Sequence, residues 1–215
     1  MNFDHLKMFQ GDYKKRALVI NRYFTFIQIP KTSSTSVFNC CRKKGLIRKK
    51  VNCYHHEGLL YLENIIDISL PVYAIVRNPF SHIHSYFFHK IKMEELTLDS
   101  NISLIANFEN FVRREVNNVH LQQCRYLKSN KGIHVKIFKI ENNDFNDYLI
   151  QRHNLNLGLD KCEANYNPKK NRQIPIIDFF KNPEIVELIV KERQKEFCDF
   201  GYSINPYDIG DRNDQ

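Results

Sequence analysis

The sequence predicts an α/β fold of three layers, a mainly parallel sheet flanked by helices, in a single domain spanning residues 1–215. Three observations predict it. Short β-rich runs alternate with segments of helical apolar spacing along the chain. The run PVYAIV at 71–76 is apolar without alternation, the pattern of a parallel strand covered on both faces. The two motifs richest in polar chemistry each follow directly on a predicted strand, which is where sheets of this kind bind their ligands.

Taken in order, residues 1–16 form a polar arm. ALVIN (17–21) and YFTFIQI (23–29) are β-rich, and the second is the better strand, with Phe24, Phe26 and Ile29 among its apolar positions. Residues 34–45 have helical spacing: Val37, Phe38 and Cys41 share a face, and Gly45 can end the helix. The basic link RKKGLIRKK that follows reads as a solvated helix end rather than a binding patch. Val51 to Tyr54 make a short strand leading into His55-His56-Glu57, and residues 58–66 return to helical spacing. PVYAIV ends in Arg77-Asn78-Pro79, and proline at a first helical position starts a helix that runs to about residue 91. Residues 104–127 read as one long amphipathic helix, with Leu104, Phe108, Phe111, Val112, Val116 and Val119 on one side. HVKIFKI (134–140) is another strand and residues 144–151 a short helix. Residues 160–178 are loop-like, residues 183–198 form a last helix starting at Pro183, and 207–215 is a polar tail.

Composition narrows the classes. The chain is 42% hydrophobic, too apolar for a disordered protein, and its 7 glycines are too few for a flexible or collagen-like one. The net charge of +8 favours anionic partners without choosing among a nucleotide, a sulfated or phosphorylated substrate, nucleic acid or an acidic membrane. No apolar run approaches the ~20 residues that cross a bilayer, and the first residues carry no apolar signal core. The expectation is a cytoplasmic chain, or one from which an anchor has been removed. Six cysteines without a CxxC pair are expected to be free thiols in a reducing compartment. Adjacent Cys40 and Cys41 are badly placed to pair with each other. No metal-ligand spacing repeats, so no metal site is expected.

The first motif is FTFIQIPKTSSTSVFN (24–39). An apolar run ends at Ile29-Pro30, one lysine follows, and then five hydroxyl residues, Thr32, Ser33, Ser34, Thr35 and Ser36, open a helix. A strand, a tight loop and a helix N-terminus point backbone N–H groups at an anion. Lys31 can neutralise a bridging oxygen while the loop holds the others. Read alone, the loop is equally a hydroxyl-rich helix cap. It is no Walker loop, because Phe26 stands where the first glycine would be. The second motif is VYAIVRNPFSHIHSYFFH (72–89). Arg77 stands at the strand end and Ser85 eight positions later, two turns into the next helix. Such a pair can clamp a phosphate. It can also be an arginine capping a strand and a serine facing water.

Together the two stretches resemble the PAPS-dependent sulfotransferases, and within them the carbohydrate branch that includes heparan sulfate 2-O-sulfotransferase. In that family a PKTGGTS-like loop binds the 5′-phosphosulfate, and an arginine followed eight residues later by a serine binds the 3′-phosphate. Lys31 and Thr32 to Ser36 match the first motif, and Arg77 and Ser85 the second. NFENFV (107–112), Gln122-Gln123, Tyr126-Leu127, KIEN (139–142) and DFGY (199–202) are similar to stretches of the same branch, in order. The resemblance therefore covers about residues 24–202. One departure is that Ser33 and Ser34 stand where glycine is common, and a positive φ at either would strain a serine.

The resemblance implies a P-loop-like sulfotransferase fold and transfer of a sulfuryl group from PAPS to a hydroxyl of a carbohydrate or glycolipid, with PAP as product. No metal is required and no nucleic-acid partner is expected. It gives Lys31 the leaving phosphate and a histidine the acceptor proton. His56, in YHHEGLLYL between the two phosphate motifs, is the first choice. His55 is the neighbouring alternative and Glu57 the third. His82, His84 and His89 read as structural or exposed, although His89 can face the acceptor. Lys170, with Lys169 and Arg172, forms a late basic loop that can contact cofactor or acceptor, or simply be solvated. The rival readings are a PAP-binding module without catalysis, a P-loop kinase and a nucleic-acid binder, the last without a recognisable motif.

Overall fold

In the computed structural model of the chain, which describes residues 18–20, 22–47, 58–65, 67–159 and 174–209, a four-stranded sheet carries the strands in sequence order. β1 (Leu18–Ile20) pairs antiparallel with β2 (Thr25–Ile27). β2, β3 (Val72–Val76) and β4 (Val135–Lys139) run parallel. All five residues of β3 are buried, as the unalternating run PVYAIV requires.

Helices cover both faces. On one face Phe24, Phe26, Tyr73, Ile75 and Phe138 pack with Val37 and Phe38 of α1 (Ser34–Lys43) and with Phe145 and Leu149 of α6 (Phe145–His153). On the other face Ile27, Val72, Ala74 and Val76 meet Leu59 and Leu62 of α2 (Leu59–Ile65) and Tyr126 of α5 (Gln123–Tyr126). The period-two alternation of β3 sends Tyr73 and Ile75 one way and Val72, Ala74 and Val76 the other. A third cluster is all-helical. It joins Phe80, Ile83 and Phe87 of α3 (Pro79–Lys92), Phe108 and Phe111 of α4 (Leu104–Glu115), and Ile185 and Ile189 of α7 (Pro183–Glu192), with Phe179 and Phe180 beneath them.

Two expected helices are each broken. The pattern at 104–127 becomes α4, a 3₁₀ turn at Val119–Leu121 and α5. Asn118 is the cause: its side chain accepts from the His120 N–H at 2.9 Å and starts a new turn, a local bond that competes with helix continuation. Val119, counted into the apolar stripe, is half exposed. The pattern at 183–198 divides at Arg193 into α7 and α8 (Gln194–Phe200). Arg193 leaves helical geometry, with φ −113°, and its side chain is fully buried. Gly45, in the left-handed conformation at φ 65°, ends α1 as its position predicts.

The cysteines also differ from expectation. Cys41, Cys124 and Cys198 are free, but Cys40 is disulfide-bonded. Cys40 and Cys41 lie about 100° apart on α1, so neighbours in sequence face different ways. Burial pushes the Cys41 thiol up to about 12. A disulfide removes the cysteine argument for a reducing compartment. Among the described residues no helix is long and apolar enough to cross a membrane, and no group of three or more His, Cys, Asp or Glu side chains is placed to hold a metal ion.

Candidate functional site

The loop after β2 and the loop after β3 meet at the carboxyl ends of adjacent parallel strands. The first is folded by two left-handed residues, Lys31 and Ser33, both at φ 61°. Thr32 is fully buried and its hydroxyl donates to the Ile29 carbonyl at 3.0 Å. That hydroxyl therefore braces the turn, and it is not turned outward as a phosphate ligand. Ser33 is the N-cap of α1 but makes no side-chain capping bond, and the first turn of α1 holds no acid. The Ser36 and Val37 N–H groups close on the Ser33 carbonyl. Among the described residues the Ser34 and Thr35 N–H groups meet no backbone acceptor, which leaves two donors at the positive end of a ten-residue helix. Ser34 is buried, while Ser33, Thr35 and Ser36 are half-buried along the cradle.

Arg77 reaches this loop from the end of β3. Its Nη1 donates to the Lys31 carbonyl at 3.4 Å and its Nε to the Ser81 hydroxyl at 3.0 Å. Asn78 caps α3 by accepting from the Phe80 N–H, and Pro79 fills the first position. The hydroxyl that meets Arg77 thus belongs to Ser81, one turn nearer than Ser85. Ser85 lies one further turn along the same stripe, half-buried, followed by His89 and Lys92.

The charges in this locus reinforce one another. Burial, then Arg77, then Lys92 lower Lys31 from 10.5 to about 8. No carboxylate among the described residues pairs with it. His89 is held at about 4 by burial and then by Lys31, partly offset by Glu95. It is neutral at pH 7 and close enough to Lys31 to feel its charge. Anions are what such a place lacks.

Behind the two loops lies a buried polar network. Gln123 accepts from the Arg77 N–H and donates to the Arg77 carbonyl, both at 2.8 Å. Glu196 fixes Gln123 by accepting from its backbone N–H at 2.6 Å and its side-chain amide at 3.0 Å. The same carboxylate pairs with Arg193, which also donates to the Leu121 carbonyl and to Nδ1 of His82. His82 closes the chain by donating from Nε2 to the Pro30 carbonyl at 2.8 Å. Burial and then Arg193 hold His82 well below its ordinary pKa, which fits a neutral ring that donates with one nitrogen and accepts with the other.

Comparison with protein-family models, with curated proteins and with solved structures finds no match for this chain.

The structure brings together Lys31, Thr32, Ser33, Ser34, Thr35, Ser36 and Arg77, with Ser85 on the adjoining stripe. His55, His56, Glu57 and Lys170 lie outside the described residues. His84 is structural: it is half-buried against Phe88, Phe108 and Phe179 with its Nε2 enclosed, and burial holds it at about 3. Sequence reasoning missed Ser81, Arg193 and Glu196, while His82 is structural, one of the two roles read for it. Ser81 could have been found four residues after Arg77. Arg193 and Glu196, spaced i,i+3 like any surface pair, carry no signal of burial. Chemically, two cations, helix N–H donors and hydroxyls around one loop can hold one or two phosphate-type groups.

Proposed function

We propose that the chain is a PAPS-dependent sulfotransferase with a P-loop-like sulfotransferase fold, acting on a hydroxyl of a carbohydrate-type acceptor. The observation that carries the reading is the contact of Arg77 with the Lys31 backbone. It joins the two motifs that separately match the family's 5′- and 3′-phosphate sites. Arg77, with Ser81 and Ser85 beside it, holds the 3′-phosphate. The α1 N-terminus and Lys31 hold the 5′-phosphosulfate, and the Lys31 ammonium steadies charge on the departing phosphate oxygen. The acceptor oxygen forms the new bond to sulfur as the bond to the phosphate oxygen breaks, and a histidine, His56 or its neighbour His55, takes the hydroxyl proton.

Labelled PAPS incubated with a panel of glycans, glycolipids and small alcohols should yield a sulfated product, and PAP should raise the melting temperature more than ATP does. Absence of both transfer and PAP binding would sink the proposal. PAP binding without transfer to any acceptor would leave a non-catalytic nucleotide module, and preference for ATP a kinase. His56→Ala should abolish turnover and keep PAP binding. Full activity in that variant moves the base to His55 or Glu57.

A further inference from the structure

We propose a second oxyanion site, at the opposite end of the sheet from the Lys31–Arg77 cradle, that takes a sulfate or phosphate monoester of a monosaccharide-sized molecule. It stands independently of the sulfotransferase reading. A cavity of about 250 Å³ opens where β3 and β4 begin, walled by Val72 and Tyr73 of β3, His134 and Lys136 at the start of β4, and Tyr148 and Arg152 of α6. Val72 stands five positions before Arg77, about 17 Å along the strand, so the two places cannot share one small ligand.

The lining is one-sided in its chemistry. Lys136 and Arg152 are cations, His134 adds a ring nitrogen at the rim, and among the described residues no carboxylate lines the cavity. Lys136 is exposed and holds its ammonium 3.8 Å above the Tyr148 ring, a contact that places the charge beside the cavity. Tyr148 and Arg152 are one helical turn apart and so face the cavity together.

The floor is built rather than incidental. Tyr73 is buried, its phenol 2.9 Å from Nε2 of His153. Burial, then Tyr148, push Tyr73 up. Tyr148 packs edge-on against Tyr73, with ring centroids 5.5 Å apart, and lines the cavity with Lys136 and Arg152. Two cations beside a tyrosine hydroxyl, with no carboxylate lining the cavity among the described residues, suit a tetrahedral oxyanion better than a neutral sugar. The volume lies below the ~300–1,000 Å³ of drug-sized pockets, which fits a single ring bearing one such group.

The test uses the full chain carrying Lys31→Met and Arg77→Gln, which silences the cradle. Glucose 6-phosphate, glucose 6-sulfate and glucose are titrated by calorimetry, with spectra of ring-labelled tyrosine recorded alongside. Both esters should bind once, glucose not at all, and the Tyr148 ring signal should move. Adding Lys136→Gln and Arg152→Gln, both exposed and therefore tolerable to the fold, should weaken the esters at least tenfold with an unchanged melting temperature. Tyr148→Phe should weaken them less. The proposal is overturned if neither ester binds once the cradle is silenced. It also fails if binding survives Lys136→Gln with Arg152→Gln, or if glucose binds as well as its esters.

Discussion

Glu196→Gln tests whether the buried network, rather than the loops themselves, holds the site in shape. The substitution keeps the size of the side chain and removes its charge. In the folded chain that charge faces Arg193, whose side chain is fully buried while that of Glu196 is 3% exposed. Taking one partner from a buried ion pair strands the other charge, at a cost of ~3–5 kcal/mol. For a chain of this length each kcal/mol moves the melting temperature by about 2–4 °C, so a fall of roughly 6–20 °C is expected. Arg193→Met with Glu196→Met removes both charges and should be milder than Glu196→Gln alone, because no charge is left unpaired. A functional effect should accompany the loss. Glu196 touches neither Lys31 nor the Arg77 side chain, yet it orients Gln123, whose amide grips the Arg77 backbone. PAP affinity should therefore fall in Glu196→Gln even where the protein is fully folded. Urea unfolding and calorimetric PAP titration read the two effects. A change in stability below ~1 kcal/mol, or a double variant less stable than the single one, would refute the coupling.

Ser33→Gly should stabilise the chain. The left-handed conformation costs an ordinary residue ~1–2 kcal/mol, glycine gives back ~0.4–1 kcal/mol through its freer unfolded state, and the Ser33 side chain makes no capping bond to lose. A small rise in melting temperature is expected, and a fall would show that the hydroxyl bonds something in the folded chain. Lys31 makes stability depend on pH. Its folded value of about 8 lies below its ordinary 10.5, so between those values the unfolded chain binds the extra proton and stability from this group rises with pH. Lys31→Met should therefore raise the melting temperature at pH 7, with the gain disappearing above about pH 10.5, and an equal gain at every pH would contradict the shift. Anion binding runs the other way, since the charged ammonium attracts the ligand: PAP affinity should decline as pH passes about 8 in the native chain and stay flatter in Lys31→Met.

The sequence made the sheet and its loops legible because each rests on local chemistry. PVYAIV can only be a strand covered on both sides, proline after Arg77-Asn78 can only open a helix, and Gly45 can only close one. What stayed hidden depends on tertiary contacts. Apolar spacing runs on from Val116 to Val119, and only the capping bond of Asn118 shows that the helix has already ended. Arg193 looks like a surface residue on a helix that continues, and only its buried partners explain the break there. The match of Ser85 to a family spacing drew attention past Ser81, the residue that touches Arg77. Pairing of Cys40 depends on what folds against α1, and nothing in a scattered set of six cysteines reveals it.

The network also explains how a site so crowded with positive charge can exist before any ligand arrives. Lys31 and Arg77 are 46 residues apart in sequence and repel each other, and two residues of the loop sit in left-handed strain. Left to themselves these terms would open the cradle. The ties that oppose them are side chains of the buried network bonded to backbone groups of the two loops. His82 holds the Pro30 carbonyl. Gln123 holds the N–H and the carbonyl of Arg77 just past the last rung of the sheet, at Val76 and Lys139. An amide is the side chain that can donate and accept at once in that position, so it continues the ladder by one step where no fifth strand is needed. Because these ties grip the backbone, the Arg77 guanidinium can turn toward Lys31 and Ser81, and the Lys31 ammonium can stay without a carboxylate among the described residues. The strain is thus held by groups a ligand never touches, and a bound anion would relieve it.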